Sequence, residues 1–432
     1  MLAPVEPPTM VHPPSVPPSA VTSSLELAHS EATSDAMRVL RPRRAAPADA
    51  VRPTRAEVNL GHLRHNLRVV RQRVEQGRLT GEPPRVWGVL KADGYGHGAP
   101  AVARTLERAG IDGLCVALLE EAVELREAGI QRPILLMGGY FGLRRDGIEE
   151  MLARGVTPVV YEPSHVERIA AVARDAGRRV AVHLKIDTGM ARLGVRPSEL
   201  DGMLEALERF AEVRVEGLMT HLACADAPEP EPSLEQLRRF AEVRARLSER
   251  GVVPRVVHAA NSAAAIALPE ARFDLVRPGV ALFGVEPRAG LAPELRQVMR
   301  IRSEVVALRV LEAGEGVGYG HTFRASRRTT VATVPMGYAD GLNRGLSNVG
   351  HALVRGRRAR LVGAVSMDLC ALDVTDVPGA RIGDEVVLLG AQEGPLGSDT
   401  ITATEVAEHT GTIPWEVLTI VSRRVPRFYR EP

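Results

Sequence analysis

The chain has 432 residues, 45% hydrophobic and 25% charged, and its opposite charges nearly cancel to a formal net charge of +2. That length suits two domains or one barrel with an addition, and the charge balance excludes a basic nucleic-acid footprint or an acidic tail, leaving a small molecule as the expected partner. Cys115, Cys224 and Cys370 are far apart and lack metal-ligand spacing, which fits a reducing, cytoplasmic compartment better than a disulfide framework.

Residues 1–52 are rich in Pro, Ala, Ser and Val, and include the basic stretch Arg41-Pro42-Arg43-Arg44. They read as a disordered arm. No apolar run approaches the roughly 20 residues of a spanning helix, and the start lacks the charged-then-apolar plan of a signal peptide, so no membrane contact is expected. Folded structure begins at Ala56, where Val58, Leu60, Leu63, Leu67 and Val70 recur at helical spacing once Asn59 has offered a cap. Eight short apolar runs follow: Val86–Ala92, Gly113–Leu118, Pro133–Gly138, Thr157–Tyr161, Val180–Ile186, Val213–His221, Arg255–Ala260 and Leu275–Phe283. Segments between them, such as Ala101–Ala109, Glu120–Ala128, His165–Ala176 and Glu235–Arg250, carry apolar residues three and four apart and read as helices.

Eight strands alternating with helices predict an α/β fold, a (β/α)8 barrel over residues 53–299, with an open doubly wound sheet as the competing architecture. From Ile301 the rhythm changes to alternating runs between glycine-rich turns: Glu304–Val310, Thr329–Val334, Ala359–Val365 and Asp384–Leu389. These predict a mainly β C-terminal domain over residues 300–432, interrupted by a helix at Ile401–Glu408 and closed by a strand at Val417–Ser422.

Polar residues gather at the strand ends. Lys91 ends the first run and is followed by Ala92-Asp93-Gly94-Tyr95-Gly96-His97-Gly98. A lysine there suits holding a phosphate, forming a Schiff base with a carbonyl, or simple solvation. His183 with Lys185, His221, the run His258-Ala259-Ala260-Asn261-Ser262, and Arg277-Pro278-Gly279 occupy later strand ends. In a barrel those ends converge on one face. Tyr95, Ser262 and the Gly279-Val280 pair offer hydroxyls and N–H groups to a phosphate, and no Walker or Rossmann glycine motif is present. A phosphate-bearing aldehyde cofactor, pyridoxal 5'-phosphate, would account for both Lys91 and these donors. The histidines lack close metal-site pairing, so no metal is expected. In the second domain Tyr319 lies in a glycine-flanked turn and reads first as a packed turn residue, and Tyr338 and the Ser366-Met367-Asp368 segment share that ambiguity.

With these segments in view, the chain resembles the alanine racemases from about Ala56 to its C-terminus. The matching stretches are Val89–Gly98, His183–Gly194, Thr220-His221, Asn261-Ser262, Val276–Val280, Gly318-Tyr319-Gly320, Gly337–Gly341, Met367-Asp368 and Gly411-Thr412-Ile413. The resemblance implies a pyridoxal-phosphate isomerase that interconverts L- and D-alanine as a homodimer. Lys91 would carry the cofactor and serve as one acid/base, and Tyr319, from the partner subunit, as the other. Arg277 would meet the pyridine nitrogen, with His221 and Arg277 tuning Tyr319 through a hydrogen-bonded chain. Arg192 would meet the phenolic oxygen and the substrate carboxylate, oriented by Lys185, which is carbamylated in some members. The resemblance assigns Tyr95, Ser262, Gly279 and Val280 to the phosphate and the Met367 N–H to the substrate carboxylate. Asp226, Tyr338 and Arg344 would lie near the entry channel, and His258 and Asp368 support the site. Trp415 departs from the family pattern, which has a tyrosine there, so phosphate anchoring and side-chain selectivity are both open to change. A broader-specificity amino-acid racemase is the alternative expectation, and a barrel-type decarboxylase a more distant one.

Overall fold

The structure, a computed structural model of the chain, describes residues 51–76, 81–138 and 144–431; the expected arm, up to residue 50, lies outside them. The first strand, β1 (Arg55–Asn59), leads into the helix Leu60–Glu75, whose cap is the expected Asn59: its side chain accepts the His62 N–H at 3.0 Å. The barrel strands follow as β2 (Arg85–Val89), β3 (Gly113–Val116), β4 (Ile134–Leu136), β5 (Val156–Val160), β6 (Val180–Lys185), β7 (Val213–Met219), β8 (Val256–His258) and β9 (Leu275–Val276). Each falls within or beside an expected run.

These eight form one parallel sheet in the order β8-β7-β6-β5-β4-β3-β2-β9. Helices cover it, so both faces are buried, and continuous apolar runs such as Leu114-Cys115-Val116 and Ile134-Leu135-Leu136 fill it. β8 and β9 approach to complete the ring. The Asp274 N–H reaches the Val257 carbonyl at 3.0 Å, the Arg277 N–H reaches that of Ala260 at 2.9 Å, and the Asp274 carboxylate accepts the Val257 N–H at 2.6 Å. Inside, Gly217 makes room for a polar layer: a Cβ there would stand 2.5 Å from the His183 ring.

The C-terminal strands are β10 (Met299–Glu304), β11 (Ala307–Leu311), β12 (Gly316–Val317), β13 (Phe323–Arg324), β14 (Thr329–Val334), β15 (His351–Val354), β16 (Arg357–Leu361), β17 (Cys370–Asp373), β18 (Glu385–Gly394), β19 (Gly397–Ile401) and β20 (Arg427–Arg430). Their main sheet runs β11-β14-β17-β16-β15-β18-β10-β1-β20, with β19 on β18. β1 therefore belongs to this sheet, although its apolar residues share the spacing of the helix that follows. Buried Glu57 ties the three edge strands together, pairing with Arg55 at 2.9 Å, Arg300 at 3.0 Å and Arg430 at 2.8 Å. Burial raises its pKa, but the bonds from Arg55 and Arg300 prevail and hold the carboxyl below its usual range.

Two expectations change. The run Glu304–Val310 is not one strand: β10 ends at Glu304 and β11 starts at Ala307, because they pair with different neighbours, β18 and β14. Val417–Ser422 is not a strand either. Pro414 opens the helix Pro414–Thr419, which buries Val417 and Leu418, and the last strand is β20. A short apolar run does not by itself separate a buried helix from a strand, and proline at the first helical position decides for the helix.

Candidate active site

Lys91 stands at the carboxyl end of β2, and the chain after it is unusual. Ala92, Asp93, Gly94 and Tyr95 have φ of 54°, 54°, 62° and 52°, four left-handed residues in succession. Such a turn costs roughly 1–2 kcal/mol for each non-glycine residue, so local bonds must offset it. The Asp93 carboxylate accepts the Ala99 N–H at 2.8 Å, the His97 Nδ1–H donates to the Tyr95 carbonyl at 2.8 Å, and the Ala92 N–H meets Glu121 at 2.6 Å. The result aims Lys91 and Tyr95 at one cavity.

That cavity is lined by Lys91, Tyr95, His221, Asp226, Asn261, Ser262, Arg277, Gly279, Val280 and Trp415, with Val89, Met137, Ala263 and Pro287 as apolar wall. On one side the Ser262 hydroxyl accepts the Gly279 N–H at 2.8 Å and the Ala281 N–H at 3.4 Å. Tyr95 closes over them, its hydroxyl 2.4 Å from where a Cβ on Gly279 would stand. Two hydroxyls and a run of N–H groups around a glycine make a cradle suited to a phosphate. Burial raises the Tyr95 pKa, so this phenol stays a neutral donor.

Two residues before Gly279, Arg277 is buried and almost fully engaged. Its NH2 donates to the Thr220 and Ala259 carbonyls at 2.9 and 3.0 Å, and its NH1 lies 2.5 Å from His258 Nδ1. A guanidinium only donates, so His258 Nδ1 accepts, and His258 carries its proton on Nε2. That proton is donated to His183 Nδ1 at 2.8 Å. Burial, then the Arg277 charge, hold both imidazoles neutral, His183 at a pKa of about 3 and His258 well below the usual histidine range. Burial brings Arg277 itself down to about 10, which keeps it cationic. Its Nε–H has no partner among the described residues and is free for an acceptor in the cavity.

The surrounding charge is positive. Burial and then Arg192 lower the Lys91 pKa, against a smaller upward pull from Glu121. Lys91 keeps solvent-accessible surface on the cavity side, while the protein packed behind it desolvates the amine. Lys185 is 6% exposed, and burial, Arg277 and Arg192 bring it down to about 8. His221 is held neutral, at about 3, by burial and the same cations. Arg192 is itself exposed.

The family model for the alanine racemase N-terminal domain matches residues 58–287, and that for the alanine racemase C-terminal domain matches residues 298–429. The alanine racemase of Sorangium cellulosum is 65% identical over 383 residues, covering 88% of this chain and all of the relative. The chain belongs to the alanine racemase family. Among solved structures, an alanine racemase from Streptomyces lavendulae matches with a TM-score of 0.80 at 34% identity, covering 89% of this chain and 98% of that one. One from Bacillus anthracis with bound L-Ala-P matches with a TM-score of 0.80, also at 34% identity, covering 89% and 96%.

In this alanine racemase family member, a second group of expected residues lies apart from the cavity. Tyr319 is 78% exposed in a turn of the β-rich domain, and Met367 is 52% exposed in the loop between β16 and β17. Asp368 pairs with Arg424 at 2.6 Å, Tyr338 donates its N–H to the Ser366 carbonyl at 3.0 Å, and Arg344 is exposed. None of them lines the cavity that holds Lys91. No direct hydrogen bond joins His221 to Arg277 among the described residues; the guanidinium reaches the carbonyl of Thr220 instead. Sequence reasoning missed Glu121 and the apolar wall. Glu121 sits in an ordinary amphipathic helix and carries no local signal, whereas Met137 and Pro287 are single residues in loops. His351, Glu405 and His409 form the one metal-sized group among the described residues, but Arg358 occupies the Glu405 carboxylate at 2.5 and 3.1 Å.

Proposed function

We propose that this enzyme interconverts L-alanine and D-alanine with pyridoxal 5'-phosphate, using Lys91 and the partner subunit's Tyr319 as opposed bases. The observation that carries the reading is the division of the site. Lys91, the phosphate cradle and Arg277 share one cavity, while Tyr319 is exposed on the other domain.

The cofactor, when bound, supplies an aldehyde for the lysine amine and a conjugated ring that accepts the electron pair left at the substrate α-carbon. The residues of the chain do the rest. Tyr95, Ser262 and the Gly279-Val280 turn would hold the phosphate. Arg277 would meet the pyridine nitrogen, and a guanidinium gives up its proton too reluctantly to protonate the ring. Arg192 and the partner subunit's Met367 N–H would bind the substrate carboxylate. The Lys91 amine, with its pKa pushed down by burial and Arg192, takes or returns the α-proton from one face. The partner subunit's Tyr319 hydroxyl does so from the other face. Inversion needs both, since one base alone returns the proton to the side it left. A homodimer follows, with each cavity completed by its neighbour. Three free cysteines fit a cytoplasmic location.

Mixing two inactive variants tests this. Lys91→Ala and Tyr319→Phe homodimers, reassociated at random, should recover about a quarter of wild-type activity, because half of the dimers are hybrids with one intact site of two. A mixture as inactive as its parents would show that the two residues do not share a site across subunits.

A further inference from the structure

The left-handed turn that follows Lys91 is gripped from outside by one carboxylate. Glu121, in the helix Leu119–Glu127, accepts the Ala92 N–H at 2.6 Å through one oxygen. Its other oxygen accepts the N–H groups of Ala117 and Leu118 at 2.8 and 3.1 Å. Ala92 is the residue directly after Lys91, whereas Ala117 and Leu118 form the loop after β3. One side chain thus joins the first two loops at the carboxyl face of the barrel.

The Ala92 peptide needs that partner. It opens the four-residue left-handed run, in which the Gly94 N–H reaches Leu90 and the Gly96 N–H reaches Ala92, both at 2.9 Å. Those bonds hold the body of the turn but leave its first N–H without a backbone acceptor. Glu121 is the group that meets it, with an ionised acceptor and a short contact, the stronger class of hydrogen bond. Losing it would free the peptide on which the Lys91 side chain is mounted.

We propose that Glu121 is the positioning residue of Lys91, fixing the first peptide of its left-handed turn against the neighbouring loop. This rests on Lys91 being the reactive amine of the function above. Glu121 also carries a negative charge that opposes burial and Arg192 at that amine. Its role is distinct from plain helix capping, because an aspartate could still cap Leu118 but would fall short of Ala92.

Two variants of the holoenzyme separate reach from charge. Glu121→Asp keeps the charge and the cap and loses the reach. Hydrogen exchange across residues 92–96 should accelerate roughly tenfold to a hundredfold, while residues 117–118 exchange as in the wild type. Its kcat should drop on the order of tenfold or more with KM little changed, since the amine is misplaced rather than the substrate unbound. Glu121→Gln keeps the length and loses the charge, and with a single acceptor oxygen it can serve only one of the two loops. In protein stripped of cofactor, the pH midpoint for the reaction of Lys91 with added pyridoxal phosphate should move to lower pH. Wild-type exchange across residues 92–96 in Glu121→Asp, or an unmoved midpoint in Glu121→Gln, would overturn the proposal. Exchange is read without turnover, so it stands apart from the test of the Lys91 and Tyr319 assignment.

Discussion

A methyl group added at Gly279 tests the phosphate cradle directly. In Gly279→Ala the new Cβ would stand 2.4 Å from the Tyr95 hydroxyl oxygen and 3.0 Å from its ring carbon Cζ. The φ of Gly279 is −116°, outside the left-handed region that favours glycine, and contact is the cost that Tyr95 imposes on an alanine there. Tyr95 has little room to yield, being 6% exposed with its ring 5.0 Å from that of Phe283. Overpacking of this kind costs about 1–3 kcal/mol, a loss of about fivefold to 150-fold in affinity when the displaced group is a ligand donor. Titrating stripped protein with pyridoxal phosphate and following the absorbance reads that loss. Tyr95→Phe alone also weakens binding, by removing a donor, yet it deletes the 2.4 Å contact and leaves the ring-carbon contacts at 3.0 and 3.4 Å. The alanine should therefore cost roughly 1 kcal/mol less in the phenylalanine background. Strictly additive losses, or wild-type affinity in Gly279→Ala, would mean that Tyr95 does not wall the cradle.

Acid should unfold the enzyme early. His97 and His183 have folded pKa values of about 4 and about 3, and that of His258 is lower than usual too, chiefly through burial. The unfolded chain takes up these protons below about pH 6.5 and the folded chain does not, so stability present above that pH is lost as it falls, by about 1.4 kcal/mol per pH unit for each histidine. Denaturant midpoints that stay flat from pH 6.5 to 4.5 would contradict the neutral assignment. Lys185, brought down to about 8 and surrounded by cations, should add carbon dioxide to its amine, with loss of a proton, to give a carbamate. Under labelled bicarbonate a carbon-13 carbamate signal is expected that vanishes in Lys185→Met; identical spectra would exclude it. Trp415 lines the cavity, and Trp415→Tyr should lower rates on serine, lysine and arginine relative to alanine by about tenfold. An unchanged substrate panel would show that residue 415 does not set selectivity.

Much of this was legible in the sequence because barrel strands are uninterrupted apolar runs, and such runs survive as a pattern whatever surrounds them. Lys91, Arg277 and Ser262 were readable for a related reason: each follows a strand, and the barrel carries all strand ends to one face. What the pattern could not carry was partnership across distance. Glu121 looks like any helical glutamate until the loop after β2 folds against it. The strand β1 reads as a lead-in to its helix because its sheet neighbours, β10 and β20, lie far along the chain. The helix Pro414–Thr419 was misread for want of length, since six residues show too little of a helical period to outweigh an apolar run.

The charge distribution argues that the cavity is built around its ligands. Arg192 lowers the affinity of Lys91 for protons, and Arg277, Arg192 and Lys91 lower that of Lys185. Among the described residues lining the cavity Asp226 is the one carboxylate, and the nearby imidazoles are held neutral and bring no further positive charge. Such a cluster repels itself when empty. A phosphate near two negative charges and a substrate carboxylate would nearly balance it, so cofactor binding should be linked to folding. At a thousandfold excess over its dissociation constant the cofactor would add about 4 kcal/mol to stability. The same field explains why the two proposed bases differ in kind. Lys91 sits inside the positive region, where its amine loses its proton more easily, while a tyrosine brought from the partner subunit adds no cation to a site that already has four.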